Sequence, residues 1–225
     1  MTMPQIIRVL WIITVIAVLS GGISVGAEQA LPTTWDFEQD PVGGPPAGFS
    51  FWRTGEGRPG RWVIVSDQSA PGGTHVLAQT DADPTDYRFP VAVANAPMAK
   101  DLQLSVRCKL VAGQGDQAAG LVFRYQDENN YYVTRANALE GNVRLYKVVN
   151  GRRQQFAGWD GAVTANRWHD YRVEANGDHV EVYWNSQKVI DAKDRTFSAA
   201  GKVGVWTKAD SVTYFDHLSV EPLGS

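Results

Sequence analysis

An antiparallel two-sheet β-sandwich of about 13 to 15 strands, with almost no helix, is the fold this chain predicts. Three observations carry it. Apolar and polar residues alternate strictly over 102–110: Leu102, Leu104, Val106, Cys108 and Leu110 take the even positions, and Gln103, Ser105, Arg107 and Lys109 the odd ones. A period of two is that of a strand with one buried face. Turn-forming residues recur at hairpin spacing, and Asn-Gly supplies the positive φ angles of a tight type I′ turn. No window of a dozen residues carries an apolar stripe at i, i+3, i+4, i+7.

In chain order, strands are expected at 34–38 and 48–54, around the Pro/Gly-rich loop 41–48, which is too short to link two domains. Strands at 61–66 and 75–80 flank Pro71-Gly72-Gly73, and 87–94 follows. Gly113 to Gly115 separates 101–111 from 118–126, and Asp127 to Asn130 separates the latter from 130–138. Glu140-Gly141-Asn142 leads into 142–149, and Asn150-Gly151 into 152–159. Alternation returns at 167–175 and 179–184, across Asn176-Gly177-Asp178, and 187–191, 201–208 and 212–220 complete the set.

The first 27 residues have the parts of an export signal. Arg8 is the positive start, Val9–Leu19 is an apolar run broken only by Thr14, and Val25-Gly26-Ala27 places small residues before Glu28. That run is short of the roughly 20 residues a bilayer span needs. Cleavage before Glu28 is expected, leaving one domain at 28–225, exported to the periplasm or the exterior, with no stable membrane insertion. A retained anchor is the alternative. The formal net charge is −3 and no basic block occurs. That balance excludes phosphate-backbone binding, so no nucleic acid partner is expected. The single cysteine excludes a disulfide framework or a multi-Cys metal motif, and its place in the alternation turns Cys108 into the core.

Three segments carry a family resemblance: Thr34-Trp35-Asp36-Phe37-Glu38 with Gly44 to Phe49; Gly120-Leu121-Val122-Phe123-Arg124-Tyr125-Gln126-Asp127 with Asn130-Tyr131-Tyr132; and Gly201 to Trp206 with Tyr214 to Val220. Together they resemble the concanavalin A-like lectin/glucanase jelly roll, in particular laminin-G-like, DUF1080-like and family-16-like secreted bacterial domains. The resemblance implies two curved sheets, paired N- and C-terminal strands, and a concave face that binds poly- or oligosaccharide. It also implies a structural calcium on the convex side, with Asp216 as anchor and Glu38 or Asp36 beside it; ordinary surface acids are the alternative. Otherwise no cofactor is expected. The Glu/Asp/Glu strand of family-16 glucanases has no counterpart here. Gly120 to Arg124 matches only the first half of the pattern in the DUF1080 group linked to keto-disaccharide cleavage.

The chemistry concentrates in 124–147. Tyr131, Val133, Arg135 and Asn137 share one strand face, and Arg144 and Tyr146 share another. Rings with polar tips beside planar five-donor guanidinium groups suit the apolar faces and hydroxyl edges of a sugar. A ligand-free Arg–Tyr ladder is the alternative. The candidate binding set is Arg124, Tyr132, Arg135, Asn137, Glu140, Arg144, Tyr146, Trp206, Lys208 and Asp210. Within it Trp206 is either a stacking platform or a core residue. No catalytic residue is expected; in an enzyme, Glu140 would be one acid, and a second carboxylate within about 10 Å would mark a glycosidase. A lectin-like binder leads, with a glycoside hydrolase or lyase and a laminin-G-like adhesion module as alternatives.

Overall fold

The computed structural model describes residues 32–223; the signal reading falls on residues outside these. Among the described residues there is no helix, and none long and apolar enough to cross a membrane. Fifteen strands occur: β1 (Thr33–Trp35), β2 (Phe49–Gly55), β3 (Trp62–Ser66), β4 (His75–Gln79), β5 (Arg88–Ala94), β6 (Leu102–Ala112), β7 (Ala118–Asp127), β8 (Asn130–Asn137), β9 (Asn142–Val149), β10 (Arg152–Asp160), β11 (Trp168–Asn176), β12 (His179–Trp184), β13 (Gln187–Lys193), β14 (Lys202–Trp206) and β15 (Val212–Pro222). All but β1 have both ends within two residues of an expected strand; β1 stops at Trp35, three residues short of the expected 34–38. The Asn150-Gly151 turn has the two positive φ values (49° and 75°) that the sequence requires of it.

The strands form two antiparallel sheets. One runs β13-β12-β11-β6-β15-β4-β3, with β1 on β15; the other runs β10-β9-β8-β7-β14-β5-β2. The pairing of Thr33–Trp35 with Leu218–Val220 joins the first and last strands of the described residues, as the resemblance implied. Strand β6 buries Leu102, Leu104, Val106, Cys108 and Leu110, the even set of its alternation. Burial accordingly raises the Cys108 thiol pKa far out of reach of neutral pH.

The seven-stranded sheet departs from simple alternation. All seven residues of β5 are buried, as are the first eight of β7. One face of this sheet, with Leu121, Phe123, Tyr132, Leu145 and Val205, packs on the other sheet. Its opposite face carries a second apolar cluster of Phe89, Val91, Val122, Tyr131, Val133, Tyr146, Val148 and Trp206. Sheet curvature is what closes this second cluster. On edge strand β2, Thr54 Oγ1 donates to the Glu128 carbonyl in the β7–β8 turn (2.5 Å) and lies 2.7 Å from the Tyr131 hydroxyl. Tyr87 Oη donates to the Gly151 carbonyl (3.0 Å) and accepts from the Arg153 amide (2.8 Å). Residues several strands apart in the flat order therefore touch across the face, which makes it concave.

Candidate functional site

The register sets one row across the concave face: Arg144 opposite Arg135, Arg135 opposite Gly120, Gly120 opposite Trp206. Asn137 and Asn142 face each other one step further along. Gly120 keeps this row flat, because a Cβ there would lie 3.1 Å from the Trp206 ring and 3.0 Å from the Thr134 carbonyl.

At this end of the face a polar network surrounds Arg135, which is 2% exposed. Its Nη1 donates to Glu140 Oε1 (3.1 Å), and its Nη2 to Glu140 Oε2 (2.9 Å) and Asn142 Oδ1 (2.9 Å). Asn137 Nδ2 donates to Asp116 Oδ1 (2.7 Å) and to Glu140 Oε1 (3.1 Å). Lys208 Nζ extends the network by pairing with Asp116 Oδ2 and Asp86 Oδ1, each at 2.6 Å. The turn from Asn137 to Asn142 is itself held by Asn137 Oδ1, which accepts from the amides of Leu139 and Glu140. Forked Arg–carboxylate pairs of this kind fix geometry as well as energy. The Arg135 guanidinium holds the Glu140 carboxyl down at about 2, with the Asn142 amide adding to it. Burial pushes Asp116 up against the pull of Lys208 and Arg135. Burial works against the Lys208 charge too, but its two carboxylates prevail and raise its pKa.

Arg135, Asn137, Glu140, Tyr146 and Lys208 thus lie together on one sheet face, where Glu140 is half-exposed at the rim and Arg135, Asn137 and Tyr146 are buried beneath it. Four residues of the expected set are corrected. Arg124 is fully buried and serves the fold: it donates to the carbonyls of Lys100, Phe197 and Gly177 and pairs with Asp101. A register shift in β7 after Phe123, with Arg124 at φ 48°, takes it out of the row. Tyr132 points into the inter-sheet core, stacked on Phe123, its hydroxyl donating to Asp194 (2.6 Å). Asp210 accepts the amides of Gln114, Gly115 and Asp116 at 2.7–3.0 Å, so it braces the loop that presents Asp116. Arg144 lies in the row but bonds the Trp159 carbonyl and Asp160 at the β10 edge. Trp206 is on the concave face but fully buried against Phe89 (centroids 5.2 Å apart), so it is floor and not an open platform.

Two members were missed by the sequence reading. Asp116 sits in the Gly113–Gln117 turn, where an acid has no strand pattern to mark it. Arg153 follows the Asn150-Gly151 turn; its guanidinium lies 4.5 Å from the Phe89 and Tyr146 rings and 5.8 Å from Trp206.

On the convex side, Asp216 is fully buried. Its Oδ1 takes the His217 amide (2.7 Å) and contacts the imidazole, while Oδ2 has no partner. Glu38 Oε1 accepts the Thr74 and His75 amides. A Cβ on Gly72 would strike His217 and one on Gly73 would strike Glu38, so the 71–74 loop lies between these groups. An orphaned buried carboxylate oxygen fits a calcium ligand. A second acidic set, His179, Glu181 and Asp191, has donor atoms within 4.8 Å of one another, but Lys188 Nζ already bonds both carboxylates at 2.8 Å. A recess of about 500 Å³ lies along the outer face of the eight-stranded sheet, lined by Arg107, Asp170, Arg172, Tyr183 and His217. Its charges are spent in the surface pairs Arg107–Asp170 and Arg172–Glu174.

Residues 47–221 match the family described as a 3-keto-alpha-glucoside-1,2-lyase-like domain. The chain belongs to that family. Over 112 residues, 48% of the chain, it is 31% identical to the levanase of Bacillus subtilis (strain 168), of which the matched stretch covers only 16%. Among solved structures, the carbohydrate-binding module CBM66 from Bacillus subtilis superposes with a TM-score of 0.60 at 23% identity, over 77% of this chain and 95% of that one. The Bacillus licheniformis beta-glucanase gives 0.55 at 11% identity, over 88% of this chain and 100% of that one. Both likenesses show the concanavalin A-like fold of the family.

Proposed function

We propose that this member of the 3-keto-alpha-glucoside-1,2-lyase-like family is a carbohydrate-binding domain. In this reading a glycan is recognised on the concave face around Arg135, Asn137, Glu140, Tyr146 and Lys208. The observation that carries it is the pre-formed ring of donors and acceptors beside an aromatic floor. Sugar hydroxyls can join such a ring without leaving a buried polar group unpaired. The levanase similarity and the carbohydrate-binding neighbour support this, and the levanase makes levan the first glycan to try. We also propose that the chain is exported and carries calcium at Asp216, with Glu38 beside the site; chelation should then lower its melting temperature, and re-added calcium restore it.

One observation favours a second, enzymatic reading: the Asp116 and Glu140 carboxyls bond the same Asn137 nitrogen, and environment pushes their pKa values apart. Separated pKa values are a signature of acid/base pairs. Against it, Glu140 is forked onto Arg135 and Asp116 bonded to Lys208, so neither is free to move a proton. An adhesion module would offer a flat apolar patch. The exposed large apolar side chains, apart from adjacent Phe51 and Trp52, instead stand on separate segments. A polysaccharide array read for both retention and reducing-sugar release decides. Retention without release supports the binder, release lost in Asp116→Asn supports the enzyme, and neither signal refutes both.

A further inference from the structure

We propose that Arg153 is the principal donor to the bound glycan, gripping adjacent hydroxyl oxygens of an uncharged sugar ring; this rests on the carbohydrate reading. The other two arginines of the face are spent on protein acceptors, Arg135 on Glu140 and Asn142, Arg144 on Trp159 and Asp160. Among the described residues, Arg153 has no side-chain hydrogen bond and no carboxylate within ion-pair distance, and its Nη1 is buried without a partner. Unpaired, half-buried charge is costly. The stack on Phe89, Tyr146 and Trp206 repays only part, since ring faces supply no hydrogen-bond acceptor for the guanidinium edge. A ligand that brings oxygen acceptors to the guanidinium edge supplies the rest.

The side chain is also well placed to discriminate. Its backbone amide is fixed by Tyr87 Oη, which in turn holds the Gly151 carbonyl, so the strand start carrying Arg153 is clamped from across the concave face. Stacking on rings locks the plane of the fork, and a fork held in plane selects a matching pair of oxygens. The charge balance around it points to a neutral partner. Arg135, Lys208 and Arg153 face Glu140, Asp116 and Asp86, three cations against three carboxylates. Asp86 already feels the Arg153 charge. A uronate would add a fourth carboxylate beside these three.

The experiment measures binding by the whole chain to levan, and to the neutral and uronate polysaccharides of one array, for wild type, Arg153→Ala and Arg153→Lys, with melting temperatures alongside. Alanine should weaken binding of the neutral glycan at least about tenfold, the loss of one charge-assisted pair of hydrogen bonds. Lysine keeps the charge and the stem but not the fork, and should remain at least about threefold weaker than wild type. Neither variant should shift the melting temperature by more than a few degrees, since the Arg153 side chain makes ring contacts but no hydrogen bond or ion pair with the rest of the protein. Wild-type-like binding in both variants overturns the assignment while leaving the carbohydrate reading intact. Tighter binding of a uronate than of any neutral glycan overturns the uncharged class. A wild type that retains no glycan overturns the carbohydrate reading and this assignment with it.

Discussion

Replacing Arg135 by methionine removes the centre of the concave network while keeping a side chain of similar stem length. Three hydrogen bonds disappear, two to Glu140 and one to Asn142. Bonds to charged groups contribute about 1.5–3 kcal/mol each when both partners are buried. Glu140 has a side chain 47% exposed, so water replaces much of what it loses and its share is discounted to the small value of a surface pair. Asn142 is 5% exposed, and its Oδ1 would lose its guanidinium donor in a nearly dry site, at about 1–3 kcal/mol. The sum is about 1–4 kcal/mol, or roughly 2–16 °C in melting temperature for a domain of this size. The pH dependence checks the mechanism. Glu140 is held at about 2 in the folded protein, below its unfolded value. A depressed folded pKa contributes stability that is complete above the unfolded value, about 4.3, and is lost as pH falls toward 2. The gap between wild type and Arg135→Met, followed by thermal melting, should therefore be full at pH 7 and shrink between about pH 5 and 2. A gap under about 2 °C at pH 7, or one unchanged down to pH 2, would refute the assignment of Arg135 as the keystone of the network.

Two other substitutions separate floor from core. Trp206→Ala empties a fully buried site beneath Arg153 and should cost about 3–5 kcal/mol by chemical denaturation, whereas an exposed platform residue would cost almost nothing. Tyr132→Phe removes a hydroxyl that donates to Asp194 and accepts the Phe197 amide, and should destabilise by about 1–3 kcal/mol with glycan retention unchanged; a loss of retention would return Tyr132 to the binding face.

The strands were legible because alternation and turn chemistry are local. Leu102 to Leu110 names its own buried side, and Asn150-Gly151 its own turn. Less legible was the second apolar layer. A run such as Ala118-Ala119-Gly120-Leu121-Val122-Phe123 reads as buried on both faces, but nothing in it says that the second face is closed by the curl of the same sheet. That closure depends on contacts between residues far apart in sequence, Thr54 with Tyr131 and Tyr87 with Gly151. It is the reason Trp206 became floor.

The site shows the same division. Arg135, Asn137, Arg144 and Tyr146 were placed together because a period of two and one short turn fix their faces. Arg124 was misplaced because one irregularity in β7 breaks that period, and Tyr132 because it lies one residue off the productive face. Asp116 reaches Asn137 only through the Asp210-braced loop, and Arg153 reaches the rings only through the curvature. Sequence periodicity therefore finds groups that a straight sheet aligns and misses those that bending brings in. On this face bending brings in both the Asp116 carboxylate and the unspent Arg153 guanidinium. Concavity here does more than shape a groove: it sets which charges are already paired and which is left for a ligand.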